Sequence, residues 1–224
     1  MVTALTESVW QFELRGVNAY LVDDDVPTLV DAGTPWDEDT LREDLDEIGV
    51  EVSEIGRVLL THYDLDHVGT LASLIPELDA TVYAGAFDAD ILTNRRRPPL
   101  TNHKGAFQRL AGLLMTHPAL DVETVDDGET IGTFTAYHTP GHTPGHVAYV
   151  SAERGVGLLG DLVSESDGTL DASGWAMSYD TSDVRESIVR LSEEAPPFDV
   201  ACIGHGTPLT TGGGNALAAL AREL

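Results

Sequence analysis

Short apolar runs that end in metal-binding side chains constrain this chain more than any other feature. The run Ile55-Gly56-Arg57-Val58-Leu59-Leu60 leads directly into Thr61-His62-Tyr63-Asp64-Leu65-Asp66-His67. Two imidazoles and two carboxylates thus fall within six residues, a mixture of nitrogen and oxygen donors suited to borderline divalent ions. Three further pieces follow. His138-Thr139-Pro140-Gly141-His142-Thr143-Pro144-Gly145-His146 spaces three histidines four apart, but two prolines and two glycines in nine residues prevent a helix. It reads as a rigid loop between strands, able to aim one or two imidazoles. Leu158-Leu159-Gly160-Asp161 reads as a buried strand ending in a carboxylate, and Ala201-Cys202-Ile203-Gly204-His205-Gly206 as a strand ending in a histidine between glycines.

Strands are expected over residues 9–14, 19–23, 28–30, 57–60, 81–84, 122–125, 132–137, 147–150, 156–159 and 199–203. Helices are expected over 36–48, 183–194 and 216–224, with another beginning at 67–75. Residues 87–120 read as a helical stretch interrupted by Arg95-Arg96-Arg97-Pro98-Pro99, and Gly212-Gly213-Gly214 as a turn before the last helix. Strands interleaved with helices argue an α/β layered architecture, and the chain reads as one domain, 1–224. On an extended loop, residues 62, 64 and 66 face one way. His67 then opens the next helix, whose N-terminal dipole favours the Asp66 carboxylate.

Charge narrows the partners. The chain carries 38 acids against 12 Lys plus Arg, a formal net charge of −26, and Lys104 is its only lysine among eleven arginines. So few positive groups disfavour a phosphate backbone, so no nucleic-acid partner is expected. No run of about 18 apolar residues occurs, so no membrane span is expected. Met1-Val2-Thr3-Ala4-Leu5-Thr6-Glu7 lacks a basic patch before an apolar stretch, so no secretory leader is expected. A single cysteine, Cys202, allows no internal disulfide and fits a reducing cytoplasm. Dense Asp and Glu with almost no lysine resemble proteins of salt-accumulating archaea, where a Debye length of roughly 3 Å at 1 M salt screens carboxylate repulsion.

Taken in order, the histidine-rich loop, the Thr-Pro-Gly-His-Thr-Pro-Gly-His stretch, Gly160-Asp161 and Gly204-His205-Gly206 resemble the metallo-β-lactamase superfamily of hydrolases. The resemblance runs from Asn18-Ala19-Tyr20-Leu21-Val22 and Leu29-Val30-Asp31-Ala32-Gly33 to Gly206. It implies an αββα sandwich with two divalent ions at one edge between the sheets, and residues 87–120 as a helical insertion shaping the pocket. It also implies His62, Asp64 and His142 on the first ion, Asp66, His67 and His205 on the second, and Asp161 bridging them beside a water or hydroxide. Asp31 would support the metal loop by accepting hydrogen bonds. One departure stands out: the family usually has His where this chain has Asp64. With two divalent ions, three carboxylates and a hydroxide, the formal charges sum to zero, so the site should be less positive than usual. Zinc is the expected ion, with manganese or iron as alternatives.

The resulting expectation is a dinuclear metal-dependent hydrolase of a small-molecule ester, thioester, lactone or phosphoester. Metal-bound hydroxide would attack, Asp161 would bridge the ions, and Asp66 would move a proton to the leaving group. The alternatives are a non-haem iron redox enzyme of the same superfamily, resembling a persulfide dioxygenase, and a metal-binding protein without turnover. Among the neighbours, His146 is expected to orient its loop. His138 is read as a loop residue, His103 and His117 as solvated, and Cys202 as packing. Arg95, Arg96 and Arg97 are expected to pair with local acids rather than substrate. Trp175, Met177 and Tyr179 are candidates for the pocket wall.

Overall fold

A computed structural model describes residues 1–114 and 121–224. His117 and the end of the 87–120 stretch lie outside the described residues. The first sheet runs in chain order: β1 (Val2–Ala4), β2 (Val9–Glu13), β3 (Asn18–Asp23), β4 (Pro27–Val30), β5 (Arg57–Leu59), β6 (Thr81–Gly85) and β7 (Val122–Val125). Its first four strands pair antiparallel and its last four parallel, with β4 shared. The second sheet contains β8 (Thr130–Ile131), β9 (Phe134–His138), β10 (Val147–Ser151), β11 (Val156–Gly160) and β14 (Val200–Ile203), in the order β14-β11-β10-β9-β8. A separate hairpin, β12 (Val163–Ser166) and β13 (Thr169–Ala172), was not expected from the sequence.

The layering follows from side-chain alternation. In β3, Tyr20 and Val22 join a core with Phe134, Tyr149 and Leu158 of the second sheet, so this core lies between the sheets. Ala19 and Leu21, on the opposite face, pack in a core with Leu41 and Leu45 of α1 (Glu38–Glu47). Both faces of β3 are therefore buried, and it reads as an unbroken apolar run. The outer face of the second sheet packs on Val184, Ile188 and Leu191 of α6 (Thr181–Glu194) and on Leu217 and Leu220 of α7 (Gly213–Ala221). The αββα sandwich is thus observed. Each fully buried Leu or Phe in these layers contributes about 1.5–3 kcal/mol.

Two helices differ from expectation. The one beginning at 67–75 splits into α2 (Leu65–Val68) and α3 (Leu71–Leu74). The His67 carbonyl accepts from the Ala32 N–H at 2.6 Å, and the Gly69 N–H donates to the Gly33 carbonyl at 2.8 Å. Backbone groups that would continue the helix are thus committed to the 31–33 turn. Gly212-Gly213-Gly214 is not merely a turn: Gly212, at φ 67°, precedes a helix that already includes the next two glycines. A Cβ on Gly213 would lie 2.8 Å from the Ala201 backbone nitrogen, so close packing on β14 demands glycine there. The 87–120 stretch contains α4 (Ala86–Leu92) and α5 (His103–Ala111).

The strand ends meet at one edge of the sandwich. Val147 N–H donates to the Thr61 carbonyl at 2.8 Å, Gly204 N–H to Gly160 at 3.0 Å, and Asn18 N–H to Gly204 at 2.8 Å. These bonds bring the ligand-bearing ends of β5, β10, β11 and β14 together.

Candidate metal centre

All four expected histidines turn the same ring nitrogen inward. His67 Nδ1 donates to Asp31 Oδ2 at 2.8 Å, and His205 Nδ1 donates to the Gly16 carbonyl at 2.6 Å. The Thr61 hydroxyl donates to Asp31 Oδ2 at 2.7 Å, so His62 Nδ1, 3.0 Å away, is its donor. His142 Nδ1 meets Ser173 Oγ at 3.0 Å. Each ring is oriented from behind, and its Nε2 faces the centre. Asp31 does what the sequence suggested, also accepting from the Thr61 N–H at 2.9 Å. It sits at φ 57°, a left-handed conformation costing roughly 1–2 kcal/mol, which its three hydrogen bonds offset.

The three carboxylates complete the cluster. Asp161 Oδ2 lies 3.3 Å from His142 Nε2 and 3.2 Å from His205 Nε2, and its Oδ1 lies 3.4 Å from His67 Nε2. Asp64 Oδ2 is 3.3 Å from His62 Nε2 and 3.2 Å from His142 Nε2. Asp66 Oδ2 is 3.4 Å from His205 Nε2. The donor atoms group as His62–Asp64–His142, His62–His67–Asp161 and Asp66–His67–His205, each set within 4.8 Å. All seven expected side chains therefore converge. His62 Nε2, His67 Nε2 and Asp161 Oδ1 are buried without a hydrogen-bond partner. Buried polar atoms are normally satisfied, so these three fit a cation between them.

Backbone geometry enforces this closeness. Gly160 turns Asp161 inward at φ 51°, where a Cβ would strike Thr61 Cβ at 2.7 Å. A Cβ on Gly204 would lie 1.9 Å from Asp161 Oδ1.

The electrostatics divide the cluster. Burial alone would raise Asp161, but His67 and His142 beside it hold its carboxyl well below the usual range. Burial pushes His67 down, yet Asp161 and Asp31 overcome this and raise it to about 9. His205 is likewise raised to about 11 against burial, by its bonds to Asp161 and Asp66. His142 moves the other way, to about 4, through burial and then the Lys104 ammonium.

Lys104 was not foreseen as a site residue. Its ammonium stands 2.9 Å from Asp64 Oδ2 and also bonds His142 Nε2. One turn later on α5, Gln108 Nε2 donates to Asp64 Oδ1 at 2.6 Å and to the Tyr63 carbonyl at 2.9 Å. Against burial, Lys104 holds the Asp64 carboxyl well below the usual range. The Asp64–Lys104 pair is neutral as a unit, like the histidine that usually stands at position 64 in the family pattern. The signal available was the identity of Lys104 as the sole lysine. Asp88, in α4, was also missed. It accepts from Tyr63 N–H at 2.9 Å, Thr143 Oγ1 at 2.6 Å and Gly145 N–H at 3.1 Å, joining the two histidine loops.

The remaining expectations resolve individually. His146 bonds Thr139 through Nδ1 at 2.8 Å within its loop, and His138 Nε2 bonds the Val125 carbonyl at 2.8 Å. His103 stacks on Trp175 with ring centroids 4.4 Å apart. Cys202 is buried between the sheets. Arg95 and Arg96 pair with Asp90 at 3.7 and 4.0 Å. Met177 lines a pocket of about 360 Å³ with Tyr63, Leu65, Phe107 and Ala111, beside Asp64, Asp66 and Lys104. Tyr179 donates its hydroxyl to Gln108 Oε1 at 2.5 Å, so it supports α5 rather than a developing oxyanion.

The profile of the metallo-beta-lactamase superfamily matches residues 13–205. The uncharacterised protein YobT of Bacillus subtilis is 30% identical over 221 residues, covering 89% of each chain. The probable metallo-hydrolase YqjP of the same organism is 27% identical, over 89% of this chain and 70% of that protein. Among solved structures, the metallo-beta-lactamase family protein TTHA1429 from Thermus thermophilus superposes with a TM-score of 0.75 at 23% identity, over 98% of this chain and 80% of that one. The subclass B3 metallo-beta-lactamase BJP-1 of Bradyrhizobium japonicum gives 0.70 at 21% identity, over 99% and 91%. At these identities the solved structures show the shared fold alone.

Proposed function

The chain belongs to the metallo-β-lactamase superfamily, and from that premise we propose that it is a metal-dependent hydrolase of a small-molecule ester, thioester, lactone or phosphoester. The carrying observation is the convergence of seven donor side chains, three of which hold a buried donor atom with no hydrogen-bond partner. Asp66, His67 and His205, with Asp161, would hold a divalent ion, and His62, Asp64 and His142 form a second group of donors. Zinc suits this nitrogen and oxygen set, with manganese or iron as alternatives. Such an ion supplies a Lewis acid that makes hydroxide available near neutral pH and polarises the scissile bond's oxygen.

The protein's own groups would do the rest. Asp161 lies between the two donor groups and would orient the attacking water. Asp66 lines both the cluster and the adjacent pocket, so its carboxylate would take the proton and deliver it to the leaving group. Leu65, Phe107, Ala111 and Met177 present an apolar wall beside it, which fits an acyl substrate and neither nucleic acid nor a bilayer. Among the described residues no helix is long and apolar enough to cross a membrane. We place the protein in the cytoplasm of a salt-accumulating archaeon on its net charge of −26.

The test is removal and return of metal. Chelated protein is assayed on an ester, thioester, lactone and phosphoester panel, then reloaded with zinc, manganese or iron. Turnover should vanish and return with the ion. Full turnover in the stripped protein would remove the reading, and oxygen consumption by the iron form would favour the redox alternative, which the relatives above do not support.

A further inference from the structure

We propose that the Lys104 ammonium takes the place of a metal ion in the His62–Asp64–His142 group, so that the enzyme works with one ion, held by Asp66, His67, His205 and Asp161. This rests on the metal-dependent reading above and settles how many ions it uses.

The argument begins at His142. Its Nδ1 is engaged by Ser173 at 3.0 Å, so Nε2 is the nitrogen left for the centre. A neutral imidazole offers one lone pair there, and the Lys104 ammonium already uses it. A proton donor and a metal ion cannot share that lone pair. Asp64 is committed in the same way: Oδ2 receives Lys104 at 2.9 Å and Oδ1 receives Gln108 at 2.6 Å. Two of the three donors in this group are therefore bound to α5, and the third, His62, turns an Nε2 without a hydrogen-bond partner toward His67 and Asp161, on the side of the remaining ion.

The ammonium is held there. Lys104 is 4% exposed, and a buried ammonium is tolerated only with a counter-ion and hydrogen bonds. Asp64 supplies the counter-ion, which a neutral histidine at that position could not. The carboxylate and the lysine thus account for each other. Asn102 caps α5 by accepting from the Lys104 and Gly105 N–H groups, and donates to the Tyr179 carbonyl at 3.0 Å. Gly105 lets the helix approach so closely that a Cβ would lie 2.3 Å from the Pro99 carbonyl. Among the described residues, Asp66 and Asp161 pair with histidines only, with no ammonium or guanidinium on them.

The experiment counts ions. Stripped wild-type protein and Lys104→Met are each saturated with zinc, freed of excess, and analysed for zinc per chain, with circular dichroism confirming the fold. Wild type should retain one ion and Lys104→Met two. Two ions in wild type, or one in folded Lys104→Met, would overturn the proposal and leave the hydrolase reading intact. No ion in wild type would overturn both. His142→Ala provides a check independent of that variant: it should keep its single ion, and loss of an ion there would count against the proposal.

Discussion

The two halves of the cluster use the same donor types and behave differently. On one side, His67 and His205 are oriented by Asp31 and the Gly16 carbonyl, groups at the edge of the first sheet. Among the described residues, the charged groups beside their Nε2 atoms are the Asp66 and Asp161 carboxylates. On the other side, Asp64 and His142 are already engaged by Lys104 and Gln108 from the insertion helix. The contrast teaches that a ligand motif is a set of donors, and that a donor is available only if no nearer cation has taken it.

Removing Asp161 should have the largest effect, because it touches both halves. Asp161→Ala is expected to lower kcat/KM by about a thousandfold or more, together with metal content. Retained turnover at full metal loading would break its assigned role. Next come the supports behind the rings. Asp31→Ala should weaken zinc affinity about 10–100-fold, measured by competition with a chelator. Ser173→Ala, behind His142, should leave that affinity within about threefold, and an equal loss in both variants would erase the contrast between the halves.

The imidazoles offer a subtler comparison in the ion-free protein. Ring-nitrogen NMR at mildly alkaline pH should find His205 protonated and His142 neutral, following their shifts to about 11 and about 4. His67 is raised from 6.5 to about 9, so its contribution to stability is complete below 6.5 and is lost as pH rises through 9. The melting temperature of the ion-free protein should therefore fall over that window, and a rise there would contradict the assignment. The smallest changes should come from outside the cluster. Arg96→Ala is expected to change kcat/KM less than about twofold, since Arg96 pairs with Asp90 and lies over Phe87. Raising KCl to roughly 1 M should raise Tm by roughly 2–4 °C per kcal/mol of surface repulsion relieved, without changing zinc per chain.

Much of this was legible in one dimension because strands and ligands carry local signals. Apolar runs at β3, β10 and β11 announced buried strands, and prolines and glycines between His138 and His146 ruled out a helix. The His67–Ile75 stretch looked helical by periodicity, yet its backbone groups were claimed by the 31–33 turn, a partner more than thirty residues away. Asp88 looked like any helix-borne acid until the fold brought Tyr63, Thr143 and Gly145 to it.

By itself the sequence picked out the seven side chains that converge, the layered α/β architecture and the surplus of acid, because residue type and short-range period are enough for those. Only the tertiary structure decided which donors stay free. Lys104 lies 40 residues from Asp64 and 38 from His142, and no local pattern connects them. Their meeting depends on where α5 packs, and electrostatic pairing acts on distance in space, to which chain order is blind.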